Sequence, residues 1–124
     1  MKVIVIIDEF IDEREFRNYS SYWLSKLGFT NIRIEDPRLS DDDLTNNNDI
    51  LASKDNKNYT IQTFLNMDIT KKEVDETIED MIKENVENGI MITNKKVNSE
   101  FKKYAKEKSI EIIDRRKFTE EIYN

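Results

Sequence analysis

Hydrophobic and polar positions along this chain switch several times between a helical and a strand-like period, and the order of the switches predicts a mixed α/β architecture. The opening aliphatic run predicts a strand over residues 2–7, packed on the core. Asp12, with Glu15 three residues on, is a capping-box-like start, and Phe16, Tyr19, Trp23, Leu24 and Leu27 then recur at helical spacing. Gly28 follows as a left-handed helix end should, with Phe29 available for the accompanying apolar contact, so a first helix is expected over 12–27. NIRIE, 31–35, alternates like a strand that Asp36-Pro37 ends, and DPRLSDDDLTNNND reads as a long exposed loop. Two further strands are expected over 48–53 and 58–64, joined around Asp55-Asn56, a pair that tolerates the positive φ angles of a tight hairpin.

The second half alternates differently. Thr70 and Glu73 form a capping box, and Val74, Ile78, Met81 and Ile82 mark the expected buried stripe of a helix running to about residue 85. NGIMIT, 88–93, is an unbroken apolar run, which predicts a central strand covered on both faces. A third helix carries Phe101, Tyr104 and Ala105, IEII at 110–113 is another strand, and Asp114 is expected to cap a last helix through Phe118 and Ile122. The order is strand, helix, three strands, helix, strand, helix, strand, helix. Antiparallel strands followed by an α/β alternation imply a mixed sheet with helices on both faces.

Composition narrows the chemistry. With 124 residues and no repeat or linker, one domain over 1–124 is expected. The chain has no cysteine and no histidine. That excludes disulfides, thiolate nucleophiles, histidine bases and zinc held by either residue, and it fits a reducing cytoplasm. Any metal must be held by oxygen, which favours magnesium, manganese or calcium. VIVII is too short for a signal peptide or membrane span; followed by Asp8-Glu9 it is Walker B-like, but two glycines in the whole chain leave no P-loop to partner it. A net charge of −6 acts against non-specific attraction to nucleic acid. Yet residues 95–117 hold nine Lys or Arg against four acids, a run whose simplest reading is a solvated helix face.

The hairpin is where candidate chemistry concentrates. If Asp55-Asn56 forms a two-residue loop, Lys54 faces Lys57 and Asp49 falls opposite Gln62. Gln62 and Phe64, two apart, share a face, so positions 49, 62 and 64 are expected to converge. DILASKDNKNYTIQTF, with FRNYSSYWLSKLGF before it and ENGIMITNKKVNSEFKKYAKEKSIEIIDRRKF after it, resembles the PD-(D/E)xK nuclease superfamily, and most closely its Mrr-type restriction endonuclease branch. The resemblance implies a restriction-endonuclease-like mixed β-sheet, an αβββαβ core flanked by helices, here with an extra N-terminal strand. It implies that Asp49 and Gln62 stand at the metal-binding positions, for Mg²⁺ in an active member, and that Phe64 occupies the position of a lysine. Such a lysine positions or deprotonates the attacking water and offsets negative charge on the phosphate. Phenylalanine has no donor, charge or exchangeable proton. A glutamate that usually follows the phenylalanine at the start of the family's first helix is Arg17 here.

Candidate substitutes are Lys71 or Lys72 for the lysine and Glu13 or Glu15 for the glutamate; against them stands the plain reading of solvated first-turn side chains. Three functions follow. The first is a degenerate Mrr-like domain that has lost hydrolysis and keeps a DNA-binding or regulatory role, with Arg17, Lys95 and Lys96 as phosphate contacts. The second is an active Mg²⁺-dependent DNA endonuclease with migrated residues. The third is a protein-interaction domain, with a protein partner or a second copy and no nucleic acid, which the acidic composition favours. None involves a membrane.

Overall fold

The computed structural model describes residues 12–34 and 50–114. The expected N-terminal strand, the polar loop with Asp49, and the last helix with Phe118 and Ile122 lie outside the described residues.

Helix α1 (Glu13–Lys26) starts where Asp12 accepts a hydrogen bond from the Glu15 amide at 2.8 Å, satisfying one of the four donors a helix start leaves open. It ends in a Schellman arrangement: Gly28 takes φ +97, its amide reaches the Ser25 carbonyl, and the Phe29 amide reaches Leu24. Phe29 is thereby turned into the core beside Leu24. Strands β1 (Thr30–Ile34), β2 (Ile50–Lys54) and β3 (Lys57–Phe64) form an antiparallel meander. Helix α2 (Lys71–Glu84) begins with the expected Thr70–Glu73 capping box and ends at Asn85 in the left-handed region. Strand β4 (Asn88–Thr93), helix α3 (Ser99–Glu107) and strand β5 (Ile110–Ile113) complete the described chain.

The five strands form one mixed sheet in the order β1-β2-β3-β4-β5, antiparallel on the β1 side and parallel from β3 to β5. Two successive crossovers advance the same way across the sheet, so with the usual right-handedness α2 and α3 share a face. Alternation then divides the core. Ile50, Ile61, Ile90 and Ile92 pack with Phe16, Trp23 and Leu24 of α1. Phe64, Met91, Ile110 and Ile112 pack on the other side with Val74 and Met81 of α2 and Ala105 of α3. β4 is buried on both faces, as its unbroken apolar run predicts. Among the described residues no helix is long and apolar enough to cross a membrane.

The α2 stripe differs from expectation at its end. Val74 and Met81 are buried and Ile78 packs against them, but the buried residue between is Thr77, and Ile82 is 74% exposed. Residue 82 falls a further 100° round the helix from Met81, past the edge of the sheet-facing stripe. Met81→Ala is therefore expected to cost about 2–5 kcal/mol. Ile82→Ala should stay within about 0.5 kcal/mol. Urea denaturation of the two variants measures the contrast, and equal costs would contradict the assignment of the buried stripe.

Candidate functional site

The β2–β3 turn has Asp55 at φ 52 and Asn56 at φ 65, the pair of left-handed residues that a type I′ hairpin needs. Lys54 pairs with Lys57, and the ladder runs to Ile50 opposite Ile61. This is the predicted register; Asp49, the next position, lies outside the described residues. With Ile61 on the α1 side, Gln62 and Phe64 both face α2, so the structure keeps these two candidate positions on one face.

Both make contacts on the α2 side. The Phe64 ring is 8% exposed and packs with Ile69, Val74 and Met91. The Gln62 amide is tied to α2: Thr77 Oγ1 donates to its Oε1 at 2.6 Å, and its Nε2 donates to Asp80 Oδ2. The oxygen that a metal would use is thus an acceptor for a helix hydroxyl. No group of three carboxylates capable of holding an ion occurs among the described residues. Phe64 offers no donor atom to a divalent cation, and Gln62 offers one amide oxygen, already accepting from Thr77, with the Asp80 carboxylate beside it.

The candidate substitutes are placed elsewhere. Lys71 pairs with Asp75 at 3.4 Å and lies over the Tyr104 ring of α3, 5.4 Å from its centroid, which draws it along α2 toward α3. Lys72, Glu13 and Glu15 are exposed, and the latter two belong to the first turn of α1, on the opposite face of the sheet from Gln62. Arg17, expected among the phosphate contacts, is 8% exposed. It is one of the buried residues of α1 itself. Lys95 and Lys96 are exposed in the connection after β4; Lys95 Nζ pairs with Asp68 at 3.2 Å. A cleft of about 520 Å³ between the β1–β2 face and the end of α2, lined by Arg33, Leu51, Ser53, Asn58, Glu84 and Asn85, is bordered by none of the candidate residues.

Thr77 and Asp80 were not anticipated. The available signal was the 74-77-81 spacing, which puts a threonine in the buried stripe of α2 with Asp80 three residues beyond it. Asp75 and Tyr104 likewise join α2 to α3, the phenol donating to Asp75 Oδ1 at 2.6 Å. That bond, with smaller help from Lys71 and against some desolvation, holds the Asp75 carboxyl below its ordinary value. The same bond, with desolvation, raises Tyr104.

The comparisons with known proteins agree with this architecture. A family model described as a restriction endonuclease, the Mrr-type catalytic domain, matches residues 8–122. The chain belongs to the Mrr-type restriction endonuclease family. No curated protein and no solved structure matched it. Within this fold the hairpin has the expected register, with Gln62 tied to α2 and Phe64 in the core.

Two predictions follow from this geometry. Phe64→Lys removes a buried ring and inserts an ammonium among Ile69, Val74 and Met91, so it should destabilise by at least about 3 kcal/mol, whereas Phe64→Leu should cost less than about 1.5 kcal/mol. Equal denaturation midpoints for wild type and Phe64→Lys would contradict a core role for the ring. The second concerns pH. A depressed Asp75 contributes stability that is present above the ordinary carboxylate pKa of about 3.9 and lost as pH falls through its lower folded value; a raised Tyr104 contributes stability that is present below about pH 10 and lost above it. The stability difference between wild type and Tyr104→Phe should therefore hold through neutral pH and shrink at both extremes, as thermal melts across pH will measure.

Proposed function

We propose that this chain is an Mrr-type nuclease fold that has lost hydrolysis and keeps a DNA-binding role. One observation carries the reading: the lysine position is a phenylalanine packed into the core, while its neighbour Gln62 is bonded to Thr77 and Asp80 instead of being presented to a metal. Phosphodiester hydrolysis needs a fixed ion, an activated water and a positive charge against the phosphate at one point. Here the site supplies an aromatic ring and an acid. The candidate replacement Lys71, engaged by Asp75 and Tyr104, argues against an active enzyme with a migrated lysine.

DNA contact would then fall to Lys95 and Lys96 and to the lysines of α3, Lys103 and Lys106, which are exposed. These neutralise phosphates without reading bases. A second reading, a protein-interaction domain, is favoured by the acids on α2, where Glu76 and Glu79 are exposed near Asp80 and would repel a phosphate backbone. The lack of cysteine fits a reducing compartment for either role.

The test is direct. Supercoiled plasmid incubated with Mg²⁺ or Mn²⁺ should remain intact, and metal-dependent nicking that disappears in Asp49→Ala would overturn the loss of hydrolysis. Duplex DNA should be retained at low salt and released as salt rises, with Lys95→Glu/Lys96→Glu weakening retention and lowering the slope of log K against log salt by roughly 0.9 for each contact removed. No retention even at low salt would instead favour the protein-interaction reading.

A further inference from the structure

The connection between β4 and α3, residues 94–98, is held more firmly than a five-residue surface turn requires. Asn94, 5% exposed, forms a reciprocal pair with Asn66 in the turn after β3: the Asn66 amide donates to Asn94 Oδ1 at 2.8 Å, and Asn94 Nδ2 donates to Asn66 Oδ1 at 2.9 Å. The Lys95 amide donates to Thr93 Oγ1 at 3.2 Å, from a threonine that is itself buried. The Val97 amide donates to Asp114 Oδ2 at 3.1 Å, and Asp114, 2% exposed at the end of β5, is held in turn by Lys102 Nζ at 2.7 Å. Asn98 caps α3 by accepting from the Glu100 amide. Positions 94, 95, 97 and 98 are thus each anchored, two of the partners, Thr93 and Asp114, being buried polar groups whose removal is costly. Lys96, between them, is exposed and makes no ion pair among the described residues.

These anchors gather at the carboxyl ends of the parallel strands β3, β4 and β5, the side on which open α/β sheets receive ligands. We infer that Asn94 is a positioning residue for nucleic-acid phosphate: by clamping the turn after β3 to the turn after β4, it holds the backbone that carries Lys95 and Lys96 in its binding geometry before DNA arrives. The inference rests on the DNA-binding reading above and deepens it. Lysine side chains are long and flexible, so fixing their backbone is the part of the ordering cost that the fold can remove in advance. A clamp with a purely structural task would join the two turns equally well but would leave affinity for DNA untouched.

The experiment compares wild type, Lys96→Gln, Asn94→Ala and Asn66→Gly for binding to a short fluorescein-labelled DNA duplex over a range of salt, with amide exchange at Asn66 followed in each. Asn66 has φ +59, a conformation that glycine adopts freely, so Asn66→Gly opens half of the clamp without backbone strain and carries the test if Asn94→Ala fails to fold. Lys96→Gln should lower the salt slope by about 0.9, since it removes a phosphate contact. Asn94→Ala should leave the slope unchanged, weaken binding about three- to tenfold, and speed exchange at the Asn66 amide. Asn66→Gly should do the same by a smaller factor. Faster exchange with unchanged affinity in both clamp variants overturns the inference and leaves the DNA-binding reading standing. A wild-type protein that shows no retention overturns that reading and the inference with it.

Discussion

The structure depends on the register of one hairpin. Asp55 and Asn56, both at positive φ, set a two-residue turn whose twist matches the flanking strands, and from that turn each pair back to Ile50 and Ile61 is determined. A slip of a single residue would exchange the faces, sending Ile61 toward α2 and Gln62 and Phe64 into the apolar layer beneath α1. Two side chains without β-carbon strain in the left-handed region would make a cheaper turn, and glycine is the usual choice. Here Asp and Asn serve instead, residues whose short polar side chains tolerate that conformation.

Given that register, the face under α2 is a packing arrangement. A lysine two residues after the glutamine must keep its ammonium hydrated or paired, which holds that end of the strand open. A phenylalanine has the opposite requirement and gains from being covered, and in this chain Ile69, Val74 and Met91 close over it. Gln62 then needs partners for both ends of its amide in a half-buried setting, and α2 provides a hydroxyl and a carboxylate. Ring and amide together join β3 to α2.

Polar order has not left the molecule but lies at the carboxyl ends of the parallel strands. Asn66, Thr93, Asn94 and Asp114 come from three separate strand ends and meet because β3, β4 and β5 are parallel and end at the same level. A polar cluster with Thr93, Asn94 and Asp114 buried specifies one arrangement of the loops it joins, since each of these left unsatisfied would carry a desolvation cost. It carries the exposed lysines that distinguish this end from the acidic surface of α2.

Much of this was legible before the fold was known. Capping residues Asp12, Thr70 and Glu73, the end signal Gly28-Phe29, the turn Asp55-Asn56 and the run NGIMIT each act within a few residues of chain, and helix and strand bounds follow from such local chemistry. The hairpin register and the shared face of Gln62 and Phe64 belong here too, because a period of two and a two-residue turn suffice to derive them. What only the tertiary structure decided are the pairings between distant segments. Ile82 was read as buried because periodicity locates a stripe but not its edge, which is set by where the sheet stops covering the helix. Lys71 looked free to serve a site until Asp75 and Tyr104 engaged it, and Arg17 proves to be a buried residue of α1. The bonds of Gln62 to Asp80, and of Asn66 to Asn94, span 18 and 28 residues. No local pattern encodes them, because such contacts arise only when separate elements are brought together by the burial of their apolar faces.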